Sequence, residues 1–460
     1  MKKKFKLVVI FVVIMFFALL QKTGVVCAKP FYNPIASAIK KAEISNSALI
    51  SVSFKEISSA KTGFELNQKT PMNPASVQKI LTLLPSLDSL GKDYEFKTQL
   101  YKNKNNDLYI KLGADPYLTT KDLKSMIRDL SSHKIYSTKA FFIDDSILDG
   151  NEWGEGWQWD DDLNPLMPKF SAYNIDKNLV TVNICPTVKG APADIFTGVF
   201  YPTAFVNNVV TGDKSEVKLE RKNYISPDVI NVDGTVSGDI VMPIPVNYPR
   251  RYFILRLEEN LRSQKVSYYG DFNRQKLPAG LTMIDEIKHP ISFAEDDILK
   301  KSNNLVAETV FKLAGGKFAK ETGSTASAVE MLKEYYQKQG INTENINIVD
   351  GSGVSKNNLV TADFVTEVLL KAQKAEFFED FKSNMATPGT GTLTDRMLYF
   401  KDNLRAKTGT LTNTSTIAGY LTVKSGKTYA FCIMTNDSKS KDADKKAFEE
   451  YVLRNAYDEL

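Results

Sequence analysis

Hydrophobic and polar positions fall into distinct textures along the chain. Residues 7–20 form an unbroken apolar run. Residues 48–54 alternate and are followed by Lys61-Thr62-Gly63, the pattern of one arm of a β-hairpin and its turn. A helix is expected to begin near Asn73, which can cap it, with Pro74 in its first turn. Val77, Ile80, Leu81, Leu83 and Leu84 then surround most of that helix, which predicts a buried central element. Between about Tyr94 and Gly280 short alternating runs predominate, at 96–101, 108–112, 179–184 and 252–257, with polar turns between them. Residues 211–239, rich in charge, glycine and short β-like runs, predict a small inserted β module. Helical spacing returns at 293–312, 325–339 and 361–375. Two further strands, 416–423 and 428–434, are joined by Lys424-Ser425-Gly426-Lys427 as a hairpin. A last helix is expected to place Ala443, Ala447, Tyr451, Val452 and Asn455 on one stripe. No period of 20–50 residues recurs, so a repeat architecture is not expected.

Charge changes the picture only at the N-terminus. Lys2, Lys3, Lys4 and Lys6 precede the apolar run, and Val26-Cys27-Ala28 offers small residues for cleavage. That is the secretory pattern, and residues 1–28 are expected to be a signal peptide cut after Ala28. An uncleaved anchor, or lipidation at Cys27, is the alternative. The segment holds five lysines and no acid; taking them from the 59 basic residues leaves 54, equal to the 54 acidic ones. A neutral mature chain gives no electrostatic footprint for nucleic acid, so none is expected as a partner. Only Cys185 and Cys432 lie beyond residue 28, too few for a disulfide framework, and two free thiols are expected.

Candidate chemistry centres on Ser76-Val77-Gln78-Lys79. Positions i and i+3 share a helix face, so the Lys79 amine can reach the Ser76 hydroxyl. A desolvated lysine of lowered pKa can serve as the base that a serine nucleophile needs. Near the helix start the Ser76 backbone N–H has no intrahelical partner and can help hold an oxyanion. The tetrapeptide alone proves little, because S-x-x-K also starts at Ser37, Ser58, Ser89, Ser131, Ser215 and Ser438. K-T-G likewise occurs at Lys22, Lys61 and Lys407. Context separates them. Only Ser76 combines a capped start with an apolar continuation, and only Lys407 lies on a strand before a terminal hairpin and helix. Ser302-Asn303-Asn304 lies between the two.

The order S-x-x-K, S-x-N, K-T-G is that of penicillin-binding proteins and serine β-lactamases. Residues Met72 to Lys79, Lys301 to Glu308, Asp350-Gly351-Ser352-Gly353, Gly389-Thr390-Gly391-Thr392-Leu393 and Lys407-Thr408-Gly409-Thr410 narrow it. Together they resemble the class C low-molecular-mass penicillin-binding proteins, DacB-like D-alanyl-D-alanine carboxypeptidases and endopeptidases, from about residue 35 onward. The resemblance implies an α+β fold: a transpeptidase domain with an antiparallel sheet flanked by helices and two inserted β-rich domains. The expected division is 29–92 plus 285–460 for the catalytic domain, 93–190 plus 242–284 for the first insert and 191–241 for the second.

The resemblance also implies roles. Ser76 would be acylated and Lys79 would be its general base, while Ser302 and Lys407 would relay a proton to the departing D-alanine. Asn304 would hold the substrate amide. Thr408, Gly409 and Thr410 would serve the terminal carboxylate, the Thr410 N–H completing the oxyanion hole. Asp161, in the aromatic–acidic stretch of Trp153, Trp157, Trp159 and Asp160 to Asp162, would either contact the amine of the third stem residue or pack a domain seam. The Asp350-Gly351-Ser352-Gly353 segment is expected to be a tight turn near the site. Neither cofactor nor metal is implied. The partners would be peptidoglycan stem peptides ending in D-Ala-D-Ala and, as covalent inhibitors, β-lactams. The protein would be exported, to the periplasm or the outer face of the cytoplasmic membrane and cell wall, with no stable membrane anchor once the signal is cut.

Other chemistries fit less well. His133 and His289 are the only histidines, without a metal-binding spacing, which disfavours a zinc peptidase. No G-x-S-x-G elbow is present for a Ser-His-Asp hydrolase. A β-lactamase-type hydrolase and a non-catalytic cell-wall binder of the same fold remain as alternatives.

Overall fold

The computed structural model describes residues 33–221, 228–437 and 439–460. The expected signal peptide lies outside the described residues. The fold is mixed α+β, as expected. Its central sheet has five antiparallel strands in the order Leu404–Leu411, Thr414–Thr422, Thr428–Asn436, Leu49–Glu56 and Thr62–Leu66. The N- and C-terminal parts of the chain therefore build one layer.

Both faces of this sheet are covered. Val52, Phe54, Ile417, Phe431 and Ile433 pack against the terminal helices Pro34–Lys41 and Asp442–Glu459. Ala418, Tyr420, Ala430, Cys432 and Met434 face the opposite layer of helices, which includes Gln78–Leu90, Asn304–Ala319 and Ala362–Ala372. The alternation expected at 48–54 is present in residue type, but its polar side is not solvent-facing: Ile50 to Phe54 are all buried between two layers, and Ser51 and Ser53 bond to the Asn67 carbonyl and to Thr366. The turn also moves, since Thr62 and Gly63 already belong to the second strand.

The central helix is buried along almost its whole length. Its start differs from expectation. Ala75–Val77 is a separate 3-10 turn, and the α-helix begins at Gln78. Asn73 is a loop staple more than a cap: its Oδ1 accepts from Ala75 N at 2.9 Å and its Nδ2 donates to the carbonyls of Ser355 and Asn358.

The single helix expected at 293–312 is two, Ser292–Leu299 and Asn304–Ala319. Asp296 and Asp297 capture Lys300 and Lys301 between them, and Asn303 caps the second helix through Val306 N. These tertiary and capping contacts outweigh the continuous periodicity of the sequence. The last helix turns a different face inward from the one expected. Lys445, Phe448, Glu449, Val452, Leu453 and Ala456 are buried, the Glu449 carboxylate meeting Arg396 and Ser415. Polar residues with buried partners had masked the true stripe.

Residues 93–284 carry a second apolar core. A mixed sheet orders Phe272–Arg274, Phe141–Asp144, Leu108–Lys111, Glu95–Lys102 and Thr282–Pro290. Two three-stranded sheets accompany it, one of them Glu216–Arg221, Val229–Val236 and Ala204–Thr211. The strand expected at 252–257 is instead part of the helix Pro249–Ser263. Tyr252, Phe253, Arg256, Leu257, Asn260 and Leu261 form its buried face, a 3.6-residue period too long for a six-residue window to show. The helix Thr120–Ser132, closed by a reciprocal Thr119–Asp122 capping box, was likewise not expected in this β-textured region. Cys185 and Cys432 are both free thiols.

Candidate active site

The sheet edge strand Leu404–Leu411 lies against the 3-10 turn of Ser76, and the contact is close. A Cβ on Gly409 would sit 2.3 Å from Thr416 Oγ1 and 2.8 Å from Ser76 N, so only glycine allows the approach. Thr416 Oγ1 also donates to the Pro74 carbonyl at 2.7 Å. Ala75, immediately before the serine, has φ +44, and Ser302 has φ +62. Left-handed conformations of non-glycine residues each cost roughly 1–3 kcal/mol, and they persist where the surroundings over-determine them.

Lys79 is fully buried. Its Nζ lies 3.0 Å from Ser76 Oγ, 2.6 Å from Asn304 Oδ1 and 2.7 Å from the Ser352 carbonyl. Two of these three partners can only accept. A neutral amine has two N–H groups for them and one lone pair, which is then left for the serine hydroxyl. Burial pushes the Lys79 pKa down to about 7, against the more distant Asp350 and Glu308 carboxylates, which pull it up.

Lys407 is buried beside it, with Nζ 2.8 Å from Ser302 Oγ and 2.6 Å from the Thr408 carbonyl. Burial, and then the charge of Lys79, hold its pKa well below the usual lysine range. Neither lysine forms an ion pair among the described residues, so little offsets the cost of charging them.

The cleft in front of Ser76 has a volume of about 640 Å3. Ser76, Ser302, Asn304, Thr408, Thr410 and Asp161 all line it, so those expected site residues converge on one opening. Lys79 and Lys407 lie behind it. Gly409 does not line the opening and contributes through the close approach described above. Asp161 sits on the short turn Trp159–Asp161, its carboxyl raised by burial and by Asp160, with Lys356 opposing from the same cleft. His133 is exposed, and His289 pairs with Asp115 at 2.6 Å; neither histidine lines the cleft.

Sequence reasoning missed a supporting set. Glu308 accepts from the backbone of Gly351 at 3.0 Å and Ser352 at 2.8 Å, fixing the turn whose carbonyl holds Lys79. Trp157 Nε1 donates to Asp350 Oδ2 at 2.9 Å, and Asn304 Nδ2 to the Leu166 carbonyl at 2.8 Å. The one available signal was the i, i+4 spacing of Asn304 and Glu308, which puts both on one helix face.

A serine on a constrained elbow, one desolvated amine against its hydroxyl and a second behind the cleft wall can together perform acyl transfer to and from that serine. That is the equipment of a serine hydrolase whose base is a lysine. The chain belongs to the D-Ala-D-Ala carboxypeptidase 3 (S13) family, whose model matches residues 32–456. It is 27% identical over 395 residues to a D-alanyl-D-alanine carboxypeptidase of Actinomadura sp. strain R39, covering 79% of this chain and 73% of that one. With D-alanyl-D-alanine carboxypeptidase DacB of Haemophilus influenzae the identity is 26% over 428 residues, covering 86% and 88%. The crystal structure of penicillin binding protein 4 (dacB) from H. influenzae superposes with a TM-score of 0.84 at 24% identity, covering 93% of this chain and all of that one. That protein has also been crystallised with a novel β-lactam.

Proposed function

We propose that this protein is an exported serine D-alanyl-D-alanine carboxypeptidase that trims peptidoglycan stem peptides through an acyl-enzyme on Ser76. The observation that carries this is the Lys79 environment, which leaves a lone pair for the Ser76 hydroxyl. In the first step Lys79 takes the Ser76 proton while Oγ attacks the carbonyl of the penultimate D-alanine. The negative oxygen is held by the backbone N–H groups of Ser76 and Thr410. The C–N bond then breaks, and the departing amine of the last D-alanine takes its proton through Ser302 and Lys407. Water hydrolyses the resulting ester and restores Ser76. Asn304 holds the substrate amide, Thr408 and Thr410 its terminal carboxylate, and Asp161 the third stem residue.

The division 29–92 plus 285–460, 93–190 plus 242–284, and 191–241 belongs to the same proposal. So does location outside the cytoplasmic membrane. The lysine-led apolar run supports export, and among the described residues no helix is long and apolar enough to cross a membrane.

The test is labelled penicillin followed by intact-mass analysis. One covalent adduct is expected on the wild type and none on Ser76→Ala, with release of D-alanine from a pentapeptide ending in D-Ala-D-Ala only by the wild type. An equal adduct on the alanine variant would sink the assignment. Cleavage of cross-linked dimers alone would make the enzyme an endopeptidase, and fast penicillin turnover would make it a β-lactamase.

A further inference from the structure

The helix Asn304–Ala319 carries three buried or half-buried polar side chains at four-residue intervals: Asn304, Glu308 and Lys312. Steps of four keep side chains on one face, so this stripe looks in a single direction. Each member takes hold of a different segment. Asn304 meets Lys79 and the Leu166 carbonyl, and Glu308 fixes the backbone of Gly351 and Ser352. Lys312 reaches the segment that leads into the cleft wall. Its ammonium pairs with the Asp149 carboxylate and donates to the Asn151 carbonyl at 2.8 Å, with the Phe170 ring 5.2 Å away.

Asp149 and Phe170 bracket the loop that carries Gln158, Asp161, Asn164, Leu166 and Met167 into the cleft, with Trp157 packed beneath it against Met167 and Phe170. The loop closes on itself where Phe170 N donates to the Glu152 carbonyl. Lys312 thus clamps both ends of it against the helix Asn304–Ala319, about two helical turns from Asn304, the partner of Lys79. The Lys312 side chain is 1% exposed, whereas Asp149 is 36% exposed. Burying a lysine for stability alone is a poor solution, since an apolar side chain of similar volume often does as well or better. A clamp of fixed geometry accounts for the charge.

We infer that Lys312 is a positioning residue for substrate selection: it holds loop 149–170 as the wall against which the stem peptide beyond the scissile D-Ala-D-Ala is read. This inference rests on the proposed carboxypeptidase function of the cleft. Lys312 touches neither the nucleophile nor its base, so penicillin, which lacks the remainder of a stem peptide, is acylated without needing the clamp.

The experiment compares Lys312→Met, Lys312→Arg and Asp149→Asn in the whole protein. Readouts are the rate of Ser76 acylation by benzylpenicillin, and kcat and KM for D-alanine release from a pentapeptide with an amine-ended third residue. Lys312→Met is expected to lower kcat/KM for the pentapeptide about 10- to 100-fold, mostly through KM. Acylation by benzylpenicillin should stay within about threefold of wild type. Lys312→Arg, which keeps the donors, should recover most of the loss, and Asp149→Asn should fall between. In combination with Asp161→Ala the losses should be less than additive, because both act through one loop. Equal loss on penicillin and pentapeptide, or no loss on either, overturns the inference. A wild type that neither takes penicillin on Ser76 nor releases D-alanine overturns the underlying function and the inference with it.

Discussion

The frame around Ser76 and the insert at 93–284 both bury cations, but of different kinds. Among the described residues, the fully buried lysines (79, 312, 407 and 445) belong to the frame and the fully buried arginines (221 and 256) to the insert. Arginine keeps its charge at any accessible pH, and its planar fork suits it to tying backbone together. Arg256 does so by donating to the Phe200 carbonyl at 2.6 Å, and Arg221 to the Pro245 carbonyl at 3.0 Å. Lysine changes its proton affinity readily when desolvated. Within the frame the lysines divide again. Lys312 and Lys445 have carboxylate partners in Asp149 and Asp442. Lys79 and Lys407 have no ion pair, and both are shifted down. Buried charge is thus structural where it is paired or fixed, and chemical where a lysine is left without a carboxylate.

The sharpest way to break this comparison is to put the insert's kind of cation into the site. Lys79→Arg retains charge but cannot accept a proton, and should lower the acylation rate about 10²- to 10⁴-fold. Stopped-flow acylation by a chromogenic β-lactam measures it. The wild-type rate should carry a matching pH signature. Lys79 acts as a base only after losing its proton, so kcat/KM should rise with pH and reach half its plateau near pH 7, where burial places the Lys79 pKa. A limb that rises only above pH 9 would contradict the role given to Lys79.

The converse change has a smaller effect and a different target. Arg256→Met leaves the Phe200 carbonyl without its donor and should cost about 1–3 kcal/mol in stability. Thermal unfolding should show that loss while benzylpenicillin acylation of the folded fraction is unchanged. Smallest of all is the neighbouring exposed position. Phe200 is 69% exposed, and Phe200→Ser should move stability by no more than about 0.5 kcal/mol. A large effect there would mean that the insert's surface contributes more than its side-chain burial indicates.

The nucleophile motif was legible because its geometry is local. Ser76 and Lys79 are one turn apart, and the apolar residues that bury the turn adjoin them in sequence. Lys407 was separable from Lys22 and Lys61 by the strand and hairpin that follow it. What stayed hidden depends on partners distant in sequence. Glu308 and Lys312 look like ordinary exposed helix residues until the turn at 351–352 and the loop at 149–151 close over them. The break at 300–303 was hidden for a related reason. Periodicity on both sides is helical, and the acid–base contacts of Asp296 and Asp297 and the Asn303 cap decide the interruption. At 252–257 five aromatic and aliphatic residues, interrupted only by Arg256, resemble a strand, and the helix shows only over its full length.

One feature of the cleft wall gives the protein a native optical label. Its three tryptophans, Trp153, Trp157 and Trp159, all stand within seven residues of one loop. Trp157 is buried against Trp153, with ring centroids 4.9 Å apart, and its indole N–H is bonded to the Asp350 carboxylate beside the Lys79 turn. Trp159 is largely exposed. The intrinsic indole emission of all 460 residues therefore originates from the loop that lends Gly156, Gln158 and Asp161 to the cleft. Cleft occupancy is therefore expected to change this emission, readable without an attached dye, and residues outside the loop add no indole background.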